Sequence, residues 1–410
     1  MARYTSQFLR TLHARGFVHQ LSDAAALDAL AAGGRLVGYI GFDCTAPSLH
    51  VGNLLSIMML HHLQASGGKP IVVLGGGTSR IGDPSGRDDA RRLLTPAQIA
   101  ANKRTIRKNF APFLRFGTGA TDALVVDNAQ WLSRLKWVDF LRDYGRHFSV
   151  NRMLGFDSVR LRLTRDQPLS FLEFNYMIAQ AYDFLELYRR YGCRLQLGGS
   201  DQWGNIVNGI DLARRLEKVE LYALTCPLLT TAGGEKMGKT ASGAVWLAPS
   251  MCAPMTYWQF WRDCADADVA RFLRLYTLLP LKEIDALTKQ GGEALNAAKV
   301  ALANAATEFL HGKAAARKAE AAAASGLTRP AGTLARASLK RGIGYLDLFR
   351  QANLAKSNSE ARRLIVGGGA RLNDKPLSDA NGRATLSDLR ADGSLKLSAG
   401  KKRHVVLKLS

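Results

Sequence analysis

The sequence predicts an α/β fold that begins with a Rossmann-like, doubly wound parallel sheet. Short apolar runs that end in Gly, Asp or Asn alternate with longer helical stretches across residues 1–225. Alternation of strands with helices is typical of a parallel sheet covered by helices. No apolar run reaches the roughly 18 residues of a membrane span, so no membrane association is expected.

Four apolar runs are the predicted strands, and ligands of such sheets bind where the strands end. The strands are RLVGYIGF, PIVVLGGG, ALVVDN and RLQLGG. Helical stretches such as LLSIMMLHHLQASGG and LSFLEFNYMIAQAYDFLELYRRYG lie between them. Since His50, Asp83, Asn128 and Asp201 each follow a predicted strand, the site is expected at this edge of the sheet.

The rest of the chain is predicted to be helical first and then compact and basic. Alanine-rich stretches between about 251 and 325 favour helices, because alanine is the strongest helix former. The Gly, Pro and Ser of SGLTRPAGTLARASLKRG indicate a linker. The expected domains are 1–225, 226–330, a linker at 331–341, and a final unit at 342–410.

Charge and cysteine content point to a cytoplasmic protein with a polyanionic partner. The net charge is +22, and residues 331–410 hold 16 Lys and Arg against 6 Asp and Glu. Such a basic segment favours nucleic acid as a partner over a merely solvated surface. The five cysteines are scattered without a C-x-x-C pair, so neither a disulfide framework nor a cysteine-rich metal site is predicted.

The stretch YIGFDCTAPSLHVGN begins as a buried strand and ends as the start of a helix. His50 and Asn53 fall on one helix face around Gly52, which lets a ligand approach the backbone. Both side chains are donors at a positive helix terminus, which suits a phosphate. Taken alone, a histidine here is more often a helix cap.

Residues 233–243, GGEKMGKTASG, place Lys236 and Lys239 between glycines; we call this segment the lysine loop. A mobile loop of this kind can close on a polyphosphate and stabilise charge in a transition state. Taken alone, the pattern is more often a solvated hairpin tip. It lacks the G-x-x-x-x-G-K-[ST] spacing of a P-loop.

A third group lies on one predicted helix. Tyr176, Gln180 and Asp183 have offsets of 0, 4 and 7, which place them on one face. This arrangement is compatible with a polar patch in an apolar pocket and also with a solvent-facing stripe.

Together these segments resemble the bacterial-type tyrosyl-tRNA synthetases, which are class I aminoacyl-tRNA synthetases. HVGN at 50–53 is similar to the H-I-G-H signature, and KMGKT at 236–240 to K-M-S-K-S. GDPSG, HFSVN, EFNYMIAQAYDF and LQLGGSDQWGN occur in the family's order and spacing. The final unit, with LAKSNSEARRLIVGGGARLNDKPL, resembles a small α+β RNA-binding module of the ribosomal protein S-four type.

The resemblance implies a role for individual residues. Tyr39 and Asp183 match the pair that binds the tyrosine hydroxyl, and Gln202 a residue near the substrate carboxylate. The residues that match the ammonium site are Asp83, Tyr176 and Gln180. Those that match the ATP site are Gly41, Asp43, His50, Gly52, Gly199, Asp201 and Lys239. Those that match the catalytic phosphate contacts are Thr45, His50, Asn53, Lys236, Lys239 and Thr240, with Arg87 and Arg91 as basic groups near the pyrophosphate.

The resemblance also implies the reaction and the partners. ATP with Mg²⁺ is the expected co-substrate of L-tyrosine, tRNA(Tyr) the acceptor, and a homodimer the expected assembly; no resident metal is expected. The sequence agrees with this reaction. The tyrosine carboxylate that attacks ATP is already ionised and needs no general base, and no Ser-His-Asp or Cys-His arrangement is evident in the sequence. Asn53 replaces the last histidine of the signature, and Ile40 stands where many relatives carry a cysteine, which leaves the nucleotide affinity open.

Three alternatives remain at this point. A tryptophanyl-tRNA synthetase shares the fold, but Tyr39 with Asp183 favours a phenol over an indole. A small-molecule nucleotidyltransferase explains the first 225 residues and not the basic tail. A non-catalytic RNA-binding or splicing factor is disfavoured because His50 and both loop lysines are intact.

Overall fold

The computed structural model describes two units of the chain, which are treated separately below. It covers residues 4–85, 93–232, 234, 237–240, 243–289, 291–324, 330–334, 336–352, 354–355, 357–400 and 403–409. The first unit is Met1–Lys313 and the second Ala314–Ser410.

The first unit contains the sheet and most of the helices. Its strands are β1 (Gln20–Leu21), β2 (Val37–Asp43), β3 (Lys69–Gly75), β4 (Leu124–Asp127), β5 (Leu195–Gly199), β6 (Tyr222–Cys226), β7 (Lys239–Thr240) and β8 (Gly243–Ala244). Its helices are α1 (Gln7–Arg15), α2 (Ala24–Ala32), α3 (Val51–Ala65), α4 (Pro96–Ile106), α5 (Ala129–Leu132), α6 (Trp137–Asp143), α7 (Val150–Leu154), α8 (Asp157–Thr164), α9 (Phe171–Phe174), α10 (Tyr176–Tyr191), α11 (Trp203–Glu217), α12 (Pro254–Arg262), α13 (Asp266–Tyr276), α14 (Leu281–Thr288) and α15 (Leu295–His311). A further helix, α16 (Lys313–Ala324), begins at the last residue of this unit.

The six-stranded sheet has the order β1-β6-β5-β2-β3-β4. All neighbours are parallel except the edge pair β1 and β6. The chain extends the sheet from β2 to β4 on one side and then continues with β5 on the other side of β2. The strand order therefore reverses between β2 and β5, and a crevice opens there at the carboxyl ends. The predicted doubly wound parallel sheet is confirmed.

Helices α12 to α15 follow the sheet, in agreement with the predicted helical region. Their packing buries large aromatic side chains, among them Trp258 and Trp261 of α12 and Phe272 of α13. The α12 and α13 helices both pack on the alanine-rich α15, whose small side chains allow close approach. This region places α13 beside the chain segment that leads into the lysine loop.

Beyond α16, the described residues of the second unit form three helices and two sheets. Its helices are α17 (Arg336–Lys340), α18 (Tyr345–Gln351) and α19 (Asn358–Val366), and its strands β9 (Pro330–Leu334), β10 (Ile343–Gly344), β11 (Ala370–Leu372), β12 (Lys375–Pro376), β13 (Arg383–Ala384), β14 (Ser394–Ala399) and β15 (Arg403–Leu409). The larger sheet has the order β12-β11-β14-β15-β9. Leu348, Phe349, Ile365, Leu395 and Leu397 form part of its buried core.

The observed division of the chain differs from the predicted one in two respects. Residues 1–313 form one unit across the predicted boundary at 225. Residues 331–341, predicted as a linker, contain most of β9 and all of α17. The β9 strand pairs in parallel with β15, and local turn composition carries no information about such a distant partner. Within the described residues, no helix has the length and apolarity needed to cross a membrane.

The ends of β3 and β4 meet so closely that Gly76, the residue after β3, has no room for a side chain. A Cβ atom at Gly76 would lie 2.1 Å from Oδ1 of Asp127, at the end of β4. That carboxylate oxygen also accepts a hydrogen bond from the Ala129 amide, which begins α5. The lack of a side chain at Gly76 therefore allows the ends of β3 and β4 to pack together beside the site.

The substitution Gly76→Ala should destabilise the first unit. The added methyl group must displace Asp127, and overpacking of this kind costs about 1–3 kcal/mol. Gly41→Ala is the matched control in the same sheet, because nothing lies within 4 Å of a Cβ atom at Gly41. Urea unfolding should show a lower midpoint for Gly76→Ala alone; equal shifts for both variants would contradict the close approach.

Candidate active site

The site is built on β2, whose alternation places Tyr39, Gly41 and Asp43 on one face of the sheet. Tyr39 is buried at the level of the core, and Asp43 is half-buried at the strand end. Gly41 lies between them and leaves open space above the strand. One strand therefore runs from an enclosed pocket to an accessible edge.

Tyr39 and Asp183 form the enclosed end of the crevice. The Tyr39 hydroxyl is buried and has no hydrogen-bond partner among the described residues. Burial raises the pKa of Tyr39 well above its usual value, and the nearby Asp183 charge adds to this. Tyr39 therefore stays protonated, and its hydroxyl lacks a partner that a ligand hydroxyl would supply.

Asp183 is a carboxylate in an apolar environment. Burial raises its pKa to about 7, although hydrogen bonds from Asn128 and Trp131 act in the opposite direction. Asn128 Nδ2 donates to Oδ2 at 2.8 Å, and Trp131 Nε1 donates to Oδ1 at 2.6 Å. Each oxygen keeps a further lone pair, so Asp183 can accept one more hydrogen bond.

A chain of hydrogen bonds connects this pocket with the strand end. Asn128 Nδ2 also donates to Thr78 Oγ1 at 3.0 Å, and Thr78 Oγ1 donates to Asp43 Oδ1 at 2.8 Å. Tyr176 donates from its hydroxyl to Asp43 Oδ2 at 3.2 Å. The α10 helix thereby contributes Tyr176 and Asp183 to opposite ends of one network.

A second network gathers oxygen atoms around the middle of the crevice. Gln202 Nε2 donates to Asp83 Oδ2 at 2.9 Å. Asn205 Nδ2 lies 3.1 Å from Gln180 Oε1 and 3.3 Å from Gln202 Oε1. Gln180 is buried on the α10 face that also carries Tyr176 and Asp183. Carboxylate and amide oxygens in this arrangement suit a cation such as an ammonium group.

At the start of α3, His50 and Asn53 cap the helix reciprocally. His50 Nδ1 accepts from the Gly52 amide at 3.0 Å, and Asn53 Oδ1 accepts from the His50 amide at 3.1 Å. Because Nδ1 is an acceptor, the neutral His50 ring carries its proton on Nε2, which is then a donor. The Asn53 side chain accepts through Oδ1, and its Nδ2 is a donor. Capping and anion binding are therefore compatible here.

The described part of the lysine loop lies directly on this helix start. A Cβ atom at Gly52 would lie 2.8 Å from the Met237 carbonyl oxygen. A Cβ atom at Gly238, whose φ is +82°, would lie 2.6 Å from the Gly52 amide nitrogen. The chain then forms β7 and β8, and Val245 accepts a hydrogen bond from the Val51 amide at 2.9 Å. The loop backbone is thus docked on α3.

The remaining predicted residues are placed as follows. Thr45 is exposed beyond β2, and Gly199 and Asp201 follow β5 at the same edge. The backbones of Lys239 and Thr240 form β7. Arg87, Arg91 and Lys236 lie outside the described residues. No group of three or more His, Cys, Asp and Glu side chains is arranged to hold a metal ion in the part of the chain that the structure covers.

Four further residues belong to the site, although the sequence assigned a role to none of them. The position of Asn128 after a predicted strand could have indicated it. Asn205 could have been indicated in the same way, because it stands one helical turn after Gln202. Trp131 and Thr78 carry no such signal, since their partners Asp183 and Asp43 are distant in sequence. Ile40, one of the departures from the family pattern, is buried.

Comparisons with known proteins agree with this architecture. A model of class I tRNA synthetases (W and Y) matches residues 32–328. The chain is 56% identical to the tyrosine–tRNA ligase of Rhodopseudomonas palustris over 418 residues, covering 100% of both chains. It is 58% identical to the tyrosine–tRNA ligase of Methylocella silvestris over 414 residues, covering 99% of each.

A solved structure extends the comparison to three dimensions. The C-terminally truncated mitochondrial tyrosyl-tRNA synthetase of Aspergillus nidulans matches with a TM-score of 0.70 and 30% identity, covering 78% of this chain and 94% of that one. Sequence, family model and fold agree along the catalytic crevice and the helices that follow it. The chain therefore belongs to the class I tRNA synthetases of the W and Y family.

Proposed function

We propose that the protein is a tyrosine–tRNA ligase. It activates L-tyrosine with ATP to tyrosyl-adenylate and pyrophosphate, and then transfers tyrosine to the 3′ end of tRNA(Tyr). The observation that carries the choice of amino acid is the buried pair of Tyr39, with its unpartnered hydroxyl, and Asp183. The relatives at 56% and 58% identity, both named tyrosine–tRNA ligases, support it.

The pair explains selection of tyrosine over similar side chains. A phenol hydroxyl accepts from Tyr39 and donates to Asp183, which satisfies both buried groups. Phenylalanine fills the same volume but leaves a buried hydroxyl and a buried carboxylate without that partner, and unsatisfied buried groups are costly. An indole places its single donor on a differently shaped ring and offers no acceptor to Tyr39.

The second network receives the amino-acid head group. Asp83, Gln180 and Tyr176 present oxygen atoms for the ammonium group. Gln202, which donates to Asp83, lies between this site and the strand end, where the substrate carboxylate meets the α-phosphate. The amino acid thus spans the crevice from the phenol pocket to the reacting carboxylate.

ATP, which enters with its Mg²⁺ as substrate, lies along the open edge. Gly41 and Gly199 let the nucleoside approach the backbone, and Asp43 and Asp201 accept from its ribose. The phosphates meet Thr45, the donors of His50 and Asn53, and the positive start of α3 at Gly52. Lys236, Lys239 and Thr240 reach them from the lysine loop, with Arg87 and Arg91 on the pyrophosphate side.

The first step is attack of the tyrosine carboxylate on the α-phosphorus, which forms a P–O bond as the bond to pyrophosphate breaks. The carboxylate is already ionised at neutral pH, so no proton must be removed. Rate enhancement therefore comes from alignment and from stabilisation of the charge that leaves with pyrophosphate. In the second step a ribose hydroxyl of tRNA attacks the activated carbonyl, and AMP departs.

The tRNA is bound by the helical region and by the basic segment 342–410, in the manner that the S-four resemblance implies. The helices α17 to α19 and the larger sheet, which is antiparallel except for β9, suit such a module. The reaction takes place in the cytoplasm, where ATP and tRNA are available. The working form is a homodimer, supported by the exposed apolar side chains between 137 and 172.

Tyrosine-dependent exchange of pyrophosphate into ATP tests the proposal. The protein should catalyse exchange with tyrosine and show no comparable exchange with tryptophan or phenylalanine. Charging of tRNA(Tyr) transcripts should follow. Exchange that depends on tryptophan would support a tryptophanyl-tRNA synthetase instead. A lack of exchange with every amino acid would overturn the assignment as a ligase.

Tyrosine affinity should fall as the pH drops below 7. The pKa of Asp183 is raised to about 7 by burial, and the phenol donates best to the ionised form. Protonated Asp183 must lose its proton before tyrosine binds, so the dissociation constant should rise by up to about tenfold for each pH unit below 7. Isothermal titration calorimetry between about pH 5.5 and pH 8 measures this.

Two controls isolate the carboxyl group in that experiment. Asp183→Asn should bind tyrosine weakly at every pH, since the amide does not titrate. Phenylalanine offers no hydroxyl, so its weaker binding should not improve as the pH rises. A tyrosine dissociation constant that stays constant over the whole range in the unmodified protein would show that Asp183 does not accept from the phenol.

The substitution Phe171→Glu should separate the dimer into monomers. Large apolar side chains are exposed in one stretch of the chain: Trp137, Val138, Leu141, Val150, Leu154, Leu161, Leu163, Phe171 and Leu172. Phe171 is 70% exposed, and apolar exposure concentrated in this way marks an interface. A buried carboxylate there costs several kcal/mol, roughly enough to dissociate the subunits at micromolar concentration.

Light scattering after size exclusion would measure the mass of each variant. Val366→Glu is the matched control, because Val366 is 73% exposed but lies outside that stretch. The control should remain dimeric. A dimeric Phe171→Glu variant, or an unmodified protein that is monomeric at micromolar concentration, would contradict this interface.

A further inference from the structure

Two side chains one turn apart on α13 hold the segment that enters the lysine loop. Asp268 Oδ2 accepts from the Ala232 amide at 2.8 Å. Arg271 Nη2 donates both to the Thr230 carbonyl oxygen at 2.6 Å and to Asp268 Oδ1 at 2.5 Å. The Asp268 side chain is only 4% exposed. An ion pair on the helix is therefore joined to both ends of the segment 230–232.

The chain just before this segment borders open space. Leu228, just before it, is 57% exposed. An open pocket of about 430 Å³ lies next to Leu228 and Leu229, and Arg271 and Arg274 of α13 also line it. Arg271 therefore joins α13 to the segment beside this open space.

The position of the segment determines the position of the loop. The Met237 amide donates to the Leu229 carbonyl oxygen at 3.0 Å, so the loop returns to the segment at its base. The next residue, Gly238, rests against Gly52 and accepts from the Val245 amide at 3.0 Å. Lys239 follows directly in β7. A shift at 230–232 is thus transmitted through Met237 to the backbone that carries Lys239.

We infer that Asp268 and Arg271 are positioning residues for adenylate formation, which fix the base of the lysine loop so that it closes on α3. This inference rests on the proposed function. Neither residue belongs to the crevice that takes tyrosine, so their effect falls on the loop and not on amino-acid binding. Because α13 packs against α14 and α15, they also connect the helical region to the loop.

Single-turnover adenylate formation compares Arg271→Ala with the control Arg274→Ala. Arg274 stands on the same helix but its side chain pairs with the exposed Asp285 at 2.6 Å and not with the loop segment. Arg271→Ala should lower the rate constant at saturating ATP by about tenfold, the loss expected for one charge-assisted hydrogen bond. The tyrosine dissociation constant and the rate of Arg274→Ala should stay within about twofold of the unmodified protein.

Trypsin cleavage after Lys239 reports how firmly the loop backbone is docked on α3. Because Gly238 rests on Gly52, the unmodified protein and Arg274→Ala should be cleaved slowly at this bond, and Arg271→Ala should be cleaved faster. Arg271→Lys keeps the charge but cannot bridge Thr230 and Asp268 with one planar group, so it should fall between them.

The outcomes separate the two proposals. An unmodified protein without tyrosine-dependent exchange refutes the proposed function. Normal exchange, together with equal rates and equal protection in Arg271→Ala and Arg274→Ala, overturns the positioning role alone. Thermal melting identifies a variant that fails to fold; Arg271→Lys and Asp268→Asn, which preserve volume, then decide the question by the same two measurements.

Discussion

A carboxylate enclosed by apolar side chains is the constraint on which the pocket depends. Burial favours the neutral form of Asp183, and the two donors Asn128 and Trp131 recover part of the lost hydration. These donors must themselves be held in place, which explains why Asn128 accepts from the Gly77 amide at 2.7 Å. The backbone after β3 and the start of α5 are thereby tied to one negative charge.

Regular backbone geometry does the rest of the positioning. The two-residue period of β2 places Tyr39 and Asp43 on the same face of the sheet, and the helical period of α10 brings Tyr176, Gln180 and Asp183 to the same crevice. The side chains of the site come from different elements, and the hydrogen-bond networks join these elements. Precision at the site therefore comes from strands and helices more than from loops.

The sequence was informative where the interaction is local or periodic. Alternating strands and helices predicted the sheet, and the offsets in FNYMIAQAYDF predicted the face of α10. It was uninformative where the partner is remote. Trp131 touches Asp183 across 52 residues, and Arg271 touches Thr230 across 41. The residues of β9 had the composition of a linker because only their pairing with β15 makes them a strand.

The contact between Gly52 and Gly238 is made by backbone on both sides. The His50 ring borders the same contact, since its Nδ1 would lie 3.1 Å from a Cβ atom at Gly238, so the space at either glycine is limited by backbone and by this ring. Met237, the residue before Gly238, is itself buried, so the size of its side chain is limited as well. The pair of glycines, 186 positions apart, is expected to evolve as one unit, because a side chain at either position closes the same gap.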